Sequence, residues 1–423
     1  MIKFKRYTQI IFIILLFPTL AQAQVIQTKT KNNTVDYEKL AKIDDLVNEY
    51  ITKNWLTGAV TIVIRDNQVI QYKGYGYADV ESKKPMKSDA IFRIMSQTKA
   101  ITSVGIMILY EQGKLLLDEP ISDFIPEFKN PVVLDKFNDA DTTYTTVPAK
   151  REITIRHLLT HTSGLDYTDI GSSKVQAIYT KNHIPSGLGY FDADLLERMK
   201  ALGKLPLSFQ PGEKWQYSLG CDLLGCLIEV ISGMSLEDFF KKNIFEPLGM
   251  KDTYFNVPVS KAGRLASVYT EDSLDHIIKW SHEFRHIDPD YPTMNKHYFS
   301  GGAGLSSTAF DYAIFMQMLL NGGIYNGHQI LAKRTVEMMT SGQLDPGVFR
   351  EDNFGLGFQI TSEKSSAKGP RYAGSFSWGG YYGTTYWADP KAHLVCLFMI
   401  QQTPNSHGDV ERKFESLVYS SLK

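Results

Sequence analysis

Apolar residues near the start of the chain recur at helical spacing. Over about 35–51 they form one stripe, which predicts an amphipathic helix. The stripe consists of Leu40, Ile43, Leu46 and Val47. The next stretch, GAVTIVIRDNQVIQYKGYGYAD at 58–79, has two β-branched and aromatic runs on either side of Asp66-Asn67. Two such runs joined by a short polar turn predict a β-hairpin.

Further strand-like runs crowd the C-terminal part of the chain. They are GLGFQI, RYAGSFSW, YYGTTYWAD and AHLVCLFMI, at 355–360, 371–378, 381–389 and 392–400. A last amphipathic stretch over about 410–422 predicts a helix. Strands at both ends of the chain, with helices between them, predict that the two ends share one sheet.

The middle of the chain, about 125–300, has the pattern of helices and loops. We therefore expect a sheet-containing α/β domain over 24–124 and 300–423, and an inserted helical domain over 125–299. Two polar stretches in the insertion, 129–149 and 280–299, are expected to be irregular loops that shape a ligand site.

Composition limits the class of protein. The chain has 423 residues, enough for one large domain or two closely packed ones. Apolar residues make up 43% and charged residues 22%, which excludes long disorder. The formal charge of -1 gives no reason to expect nucleic acid as a partner.

The first 23 residues have the pattern of a signal peptide. Lys3, Lys5 and Arg6 precede an apolar run over 10–20, and Ala21-Gln22-Ala23 is a small-x-small cleavage pattern. The alternative is a retained anchor, but the run has 11 residues, whereas a spanning helix needs about 20. We expect cleavage before Gln24, export to a periplasm or out of the cell, and no membrane span afterwards.

The stretch FRIMSQTKAI contains the strongest candidate for a nucleophile. The pattern SxxK occurs at Ser96, Ser365 and Ser420, but only Ser96 begins an apolar helical run, which ends at Gly113. Residues three apart on a helix are neighbours, so the Lys99 amine can reach the Ser96 hydroxyl. A buried, neutral amine can take the serine proton, and the Ser96 N–H can hold a developing oxyanion. The alternative is a serine cap followed by a solvated lysine.

Two further stretches carry candidate site residues. Tyr217, in QPGEKWQYSLGCDLLGCLIEVISG, lies on a turn before an apolar helix and can relay a proton; the alternative is a core aromatic residue. In FSWGGYYGTTYWADP, Gly379 and Gly380 allow close approach of an acyl group, and the Tyr381 N–H can complete an oxyanion hole. The alternative for these glycines is a β-bulge.

Taken together, these motifs resemble the serine β-lactamase and penicillin-binding protein family, in particular its class C-like branch with the family VIII carboxylesterases and D-aminopeptidases. Other similar segments are ITIRHLLTHTSGL, FQPGEKWQYS, IFEPLGMKDTYF and GGAGLSSTAFDYAIFMQMLLNGG. The resemblance implies an α/β (α+β) fold with a five-stranded antiparallel sheet flanked by helices and an inserted all-helical lobe. It also implies that Ser96 is the acylated nucleophile, Lys99 its proton partner and Tyr217 the general base.

Two departures from the family pattern bear on the substrate. The β-lactamases have tyrosine, any residue and asparagine where this chain has Tyr217-Ser218-Leu219, and lysine-threonine-glycine where it has Trp378-Gly379-Gly380. Leu219 therefore lacks an amide for the substrate, and Trp378 lacks a cation for its carboxylate. We expect a preference for neutral, apolar acyl groups, as these variants are familiar among esterases of the group.

Three functions remain open at this point. The first is an exported serine hydrolase acting on small esters. The second is a β-lactamase or a D-alanyl-D-alanine carboxypeptidase or D-aminopeptidase acting on an amide. The third is a non-catalytic protein that binds cell wall or another ligand. The sequence leaves the oligomeric state open.

We expect neither a metal nor a cofactor. His157 and His161 have the spacing of zinc ligands, but Leu158 occupies the position of the glutamate in HExxH. The chain also has no GxSxG elbow, P-loop or dinucleotide fingerprint.

Overall fold

A computed structural model describes residues 24, 25, 27, 30–282, 284 and 287–423. The predicted signal peptide over 1–23 lies outside these residues, so its cleavage stays a prediction. No helix among the described residues is long and apolar enough to cross a membrane.

An eight-stranded antiparallel sheet joins the two ends of the chain, in the order β12-β13-β14-β15-β16-β1-β2-β3. Its strands are β1 (Gly58–Arg65), β2 (Gln68–Asp79), β3 (Lys84–Pro85), β12 (Asn353–Phe354), β13 (Gln359–Ile360), β14 (Phe376–Gly379), β15 (Thr385–Asp389) and β16 (Leu394–Met399). The ends meet where β1 pairs with β16, from Val60 opposite Met399 to Arg65 opposite Leu394. The predicted hairpin is confirmed, with Asp66 and Asn67 both at positive φ, as a type I′ turn requires.

The fold class is confirmed, but the sheet has eight strands where five were expected. The additional strands β3, β12 and β13 each have two residues, too few for a visible alternation of apolar and polar positions. Within RYAGSFSW the strand starts only at Phe376, because Gly374 adopts a positive φ of 91° and turns the chain.

Four short two-stranded sheets lie outside the main sheet. They are β4 (Ile91–Arg93) with β9 (Ser306–Thr308), β5 (Val132–Phe137) with β6 (Tyr144–Pro148), β7 (Tyr269–Glu271) with β8 (Ile277–Lys279), and β10 (Ile324–Tyr325) with β11 (His328–Gln329). The expectation of an irregular loop at 129–149 is wrong, because this stretch contains the β5–β6 hairpin. The expectation of an all-helical lobe is also wrong, because the insertion contains both this hairpin and β7–β8. Every residue of β6 is exposed, so no apolar alternation marked it as a strand.

The described residues form thirteen α-helices. They are α1 (Tyr37–Thr52), α2 (Thr98–Glu111), α3 (Ile155–Leu159), α4 (Ser173–Lys181), α5 (Leu195–Gly203), α6 (Gly220–Ser232), α7 (Leu236–Phe240), α8 (Glu246–Leu248), α9 (Val259–Ala262), α10 (Ala309–Leu320), α11 (Lys333–Met339), α12 (Glu363–Ser366) and α13 (Asp409–Ser420). The helices α1 and α13 pack together on one face of the main sheet, called here the back face. The other face, called the front face, carries α2 and α10, and α6 packs on α2.

The insertion between the two parts of the sheet holds α3 to α9 together with the two hairpins. Its predicted domain boundaries at 125 and 299 stay a prediction. The ends of α1, α2, α6 and α13 lie within two residues of the positions that apolar spacing and glycine stops predicted. Their apolar residues are those that the sheet and neighbouring helices bury.

Candidate active site

The segment that presents Ser96 begins with strand β4 and continues as a 3-10 turn at Met95–Gln97 that leads into α2. Met95 adopts a positive φ of 48°, a conformation that concentrates at functional sites because it is strained for a residue with a side chain. Ser96 is half-buried. The turn thus holds the serine hydroxyl at the N-terminal end of a buried helix.

Lys99 lies directly beneath this serine and is 2% exposed. Its Nζ is 3.2 Å from Ser96 Oγ and donates a hydrogen bond of 2.8 Å to the Gly302 carbonyl. The predicted contact between amine and hydroxyl is therefore present. The alternative of a solvated lysine is wrong, since the side chain is enclosed.

Tyr217 lies on the turn that precedes α6, as predicted. Lys99 Nζ is 4.5 Å from the centroid of the Tyr217 ring, within the range of a cation–π contact for a charged amine. Trp378 Nε1 donates a hydrogen bond of 3.3 Å to Tyr217 Oη. Tyr217 is half-buried and lines the cleft beside Ser96, which a wholly buried core aromatic residue would not do.

An aromatic cluster supports Tyr217 from behind. The centroid of its ring is 4.8 Å from that of His161 and 6.2 Å from that of Trp215, and Trp215 packs on Phe349 at 4.6 Å. Burial, and then the nearby Lys99, lower the pKa of His161 to about 3. His161 is therefore a neutral packing residue at any ordinary pH.

The end of strand β14 closes the site opposite Tyr217. A Cβ on Gly380 would lie 2.5 Å from the Ile94 carbonyl oxygen and 2.2 Å from Thr384 Oγ1. Only glycine allows this approach, which brings Gly379, Gly380 and Tyr381 against the segment that carries Ser96. The alternative of a β-bulge is wrong, because β14 pairs with β15 in an unbroken register from Phe376 to Gly379.

These parts surround a cleft of about 460 Å³. Its lining includes Ser96, Tyr217, Trp378, Gly379, Gly380 and Tyr381 among the predicted residues, and Gln359, Arg371, Ser377, Thr385 and Tyr386 in addition. Leu219 is 1% exposed and packs in the core at the start of α6, so it does not line the cleft. Arg371, a cation of the lining, is paired with Glu415 at 2.9 Å.

Sequence reasoning missed three residues near Lys99. Tyr167 places its ring centroid 5.5 Å from Lys99 Nζ and 5.4 Å from the centroid of Tyr217. Gly302 supplies the carbonyl that Lys99 contacts, and Asp222 binds the Gly302 N–H at 2.7 Å. A signal for Asp222 was present in the sequence, since it is a charged residue within the apolar run LGCDLLGCL. Gly302 lies in the segment GGAGLSSTAFDYAIFMQMLLNGG, but nothing in that segment indicated that its carbonyl would meet Lys99.

The histidines with zinc-ligand spacing have other roles. His157 Nδ1 accepts a hydrogen bond of 3.1 Å from the Thr154 N–H in a capping box at the start of α3. Away from the cleft, His282, Asp288 and Asp290 place ligand atoms within 4.8 Å of one another. These side chains lie at the surface and His282 already pairs with Asp288 at 2.8 Å.

A serine next to a buried lysine amine, in a cleft shared with a tyrosine and a glycine-bearing strand end, is the kind of site that serine hydrolases use. Comparison with known proteins gives the family. The Beta-lactamase family model matches residues 43–419, so the chain belongs to the β-lactamase family.

Individual relatives include an esterase, an acyltransferase and a hydrolase. Esterase EstB of Burkholderia gladioli is 30% identical over 372 residues, covering 85% of this chain and 89% of the esterase. ML-236A carboxylate methylbutanoyltransferase mlcH of Penicillium citrinum is 28% identical, and the match covers 87% of this chain and 91% of the transferase. The solved structure of EstCE1, a hydrolase with promiscuous acyltransferase activity, superposes with a TM-score of 0.78 at 26% identity, covering 90% of this chain and 99% of its own.

Proposed function

We propose that this protein is a carboxylesterase that forms an acyl-enzyme at Ser96 and hydrolyses small esters. The observation that carries the proposal is the 3.2 Å contact between the buried Lys99 Nζ and Ser96 Oγ, which lines a cleft together with Tyr217. A serine hydroxyl becomes a useful nucleophile only when an adjacent base takes its proton.

The acylation step follows from this geometry. Ser96 Oγ attacks the ester carbonyl and gives its proton to the Lys99–Tyr217 pair. The oxyanion forms between the N–H groups of Ser96 and Tyr381, which both lie at the cleft. The C–O bond to the alcohol then breaks, and Tyr217 returns the proton to the departing alcohol oxygen.

Deacylation reverses the roles, with water in place of the alcohol. Tyr217 takes a proton from the water as it attacks the acyl carbonyl, and the Lys99–Tyr217 pair passes one proton on to Ser96 Oγ as that oxygen leaves. The products are a carboxylic acid and the free serine, so no group outside the cleft is needed to balance the reaction.

Charge at the cleft favours a neutral ester as substrate. Trp378 places an indole where the β-lactamases have lysine, and its N–H is directed at Tyr217 Oη. Arg371 is already paired with Glu415 and stacks on Trp387 at 4.8 Å. An anionic substrate would therefore be desolvated there without a free cation among these lining residues. The relative EstB, an esterase, supports an ester as the substrate.

The test is covalent labelling and turnover in matched serine variants. Ser96→Ala is expected to abolish labelling by a fluorophosphonate and turnover of p-nitrophenyl butyrate. Ser365→Ala, which changes a second SxxK serine in the short helix α12 away from the cleft, is expected to leave both unchanged. Retained labelling in Ser96→Ala would remove the nucleophile from the proposal, and a wild-type protein that takes no label would favour a non-catalytic binding protein.

The same turnover assay, run with other substrates and acyl acceptors, distinguishes the alternative functions. Turnover of nitrocefin or a D-alanyl peptide far above ester turnover would favour the β-lactamase or peptidase alternative. The acyltransferase relatives make transfer to an alcohol a second candidate. It predicts that added butanol diverts the acyl group from acid to butyl ester.

We also propose that the protein is exported. The basic start, the apolar run and Ala21-Gln22-Ala23 support this. N-terminal sequencing of the protein from its own host should begin at Gln24; a sequence beginning at Met1 would contradict cleavage.

A further inference from the structure

Asp222 is a buried carboxylate in the first turn of α6 with no role in the steps above. It is 1% exposed and lies in an otherwise apolar segment of that helix. Gly187, at a positive φ of 77°, covers it so closely that a Cβ there would lie 2.6 Å from Asp222 Oδ2. A buried carboxylate persists only when hydrogen bonds replace its lost water.

Those hydrogen bonds all come from one turn, residues 298–302. Asp222 Oδ1 accepts from the Gly302 N–H and from Ser300 Oγ, both at 2.7 Å, and Oδ2 accepts from Tyr298 Oη at 3.0 Å. Ser300 Oγ itself accepts from the Ala303 N–H at 2.9 Å, which directs the serine hydrogen towards Asp222. Three donors converge on the two oxygens and replace the water that burial removes, although burial still raises the pKa of Asp222.

The opposite side of the same turn contacts the helix that carries Lys99. The Gly302 carbonyl accepts from Lys99 Nζ at 2.8 Å, and the Gly301 carbonyl accepts from Thr102 Oγ1 at 2.7 Å. Glycine is needed here, because a Cβ on Gly301 would lie 2.4 Å from the Cys221 carbonyl oxygen. The turn therefore connects Asp222 on α6 to Lys99 on α2.

We infer that Asp222 is a positioning residue for the acylation step, which holds Gly302 in place so that its carbonyl orients the Lys99 amine towards Ser96. The inference rests on the proposed function of Ser96 and Lys99. Asp222 contacts neither the serine nor the cleft; it acts through Gly302.

The chemistry of the amine explains why orientation matters. A neutral amine has two N–H bonds and one lone pair. When one N–H is directed at the fixed Gly302 carbonyl, the lone pair can face the Ser96 hydroxyl, 3.2 Å away. A carbonyl that is free to move would leave the amine in other rotamers and lower the fraction of molecules ready to react.

The experiment compares Asp222→Asn with a matched control, Asp389→Asn. Asp389 is also fully buried, and it accepts hydrogen bonds from the Tyr372 and Ala392 N–H groups and from the Tyr419 hydroxyl. It lies at the C-terminal end of β15, away from the cleft. Each variant is measured for kcat and KM on p-nitrophenyl butyrate, for the second-order rate of fluorophosphonate labelling, and for melting temperature.

Asp222→Asn is expected to lower kcat and the labelling rate together by about 10–100-fold with KM nearly unchanged, since misplacing a reacting group affects the rate more than binding. Asp389→Asn is expected to lower the melting temperature but to leave the kcat and labelling rate of the folded protein at wild-type values. A folded Asp222→Asn that labels at the wild-type rate overturns the inference, as does an equal kinetic loss in Asp389→Asn.

If Asp222→Asn does not fold, Tyr298→Phe and Ser300→Ala decide the question, because each removes a single donor to the carboxylate. Each is expected to reduce the labelling rate by about 2–10-fold, the range of one net hydrogen bond; no reduction in either overturns the inference. Failure of the proposed function looks different, since wild-type protein would then take no label at Ser96.

Discussion

The two faces of the central sheet are packed by different chemistry. On the back face, α1 and α13 bury an almost wholly apolar set against β1, β15 and β16, including Ile43, Val47, Phe398 and Phe414. On the front face, the helix α2 is just as buried but carries Thr98, Lys99 and Thr102 inside it. The back face packs an amphipathic helix pair; the front face encloses polar groups.

The difference shows how the buried polar groups of the site affect the stability of the fold. Apolar burial stabilises by about 25 cal/mol per Å², whereas each enclosed polar group needs a partner to avoid a penalty. For Lys99 and Thr102 the partners are the carbonyls of Gly302 and Gly301 from a distant segment. The buried side chains of Gln97 and Ser103 have polar atoms without a hydrogen-bond partner among the described residues, so the front face also carries part of the penalty. Changes on the back face should therefore alter stability alone, and changes on the front face should alter chemistry first.

The largest expected effect is on the front face. Lys99→Met keeps the shape of the buried side chain and removes the amine that faces Ser96. We expect kcat to fall by roughly 10²–10⁴-fold, the contribution of a positioned base, or about 3–5 kcal/mol of barrier. Stability should be retained or rise, since a buried polar group is lost. Hydrolysis of p-nitrophenyl butyrate and urea denaturation measure the two; unchanged kcat would contradict the assignment of Lys99.

The converse is expected on the back face. Phe414 is fully buried between Trp387 and Phe398, with ring centroids at 5.7 and 5.3 Å. Phe414→Ala should cost about 3–5 kcal/mol of unfolding free energy through the cavity it leaves. The folded fraction should keep wild-type kcat. A fall in kcat beyond the folded fraction, determined by active-site titration with fluorophosphonate, would show that the faces are coupled.

A second buried lysine tests whether enclosure alone makes a catalytic residue. Lys296 is 2% exposed and donates to the carbonyls of Phe255 and Tyr291, away from the cleft. Burial lowers its pKa to about 7. Between pH 7 and about 10.4 the unfolded chain therefore binds more protons than the folded protein, so the free energy of unfolding should rise with pH through that window. Below pH 7 the full cost of burying the charged amine should lower the stability of the folded protein.

Lys296→Met should remove this dependence. We expect the substitution to raise the unfolding free energy by about 2–4 kcal/mol more at pH 6 than at pH 10. The kcat should be unchanged. Urea denaturation of wild type and variant at pH 6, 8 and 10 gives the comparison. Parallel pH profiles would show that the lysine is not held neutral by its surroundings.

The smallest expected effect concerns Trp378. Trp378→Phe keeps an aromatic ring packed against Tyr217 and Phe354 but removes the N–H that contacts Tyr217 Oη. Loss of one such hydrogen bond should lower kcat/KM by about 3–10-fold, or roughly 0.5–1.5 kcal/mol. Trp387→Phe, on the opposite face of the neighbouring strand, is the matched control and should leave kcat/KM unchanged. Equal losses in the two variants would assign the effect to packing.

Local patterns predicted the helices well and placed Ser96 beside Lys99; the role of Ser96 as nucleophile stays a prediction. Apolar spacing located α1, α2, α6 and α13, and the SxxK motif at the start of a buried helix selected Ser96 and Lys99 over two similar pairs. The two-residue strands and the exposed β5–β6 hairpin were not predicted, because neither buries a repeating set of side chains. Leu219 was placed at the substrate, but it faces the core, since a motif position does not specify side-chain direction.

By itself, the sequence determined the amphipathic helices, the hairpin and the serine–lysine pair, because these depend on residues within a few positions of one another. The tertiary structure alone decided which carbonyl meets Lys99, which donor meets Tyr217 and which turn holds Asp222, since these contacts join residues 76 to 203 positions apart. Such contacts form only when the whole core has packed, and no local pattern records them.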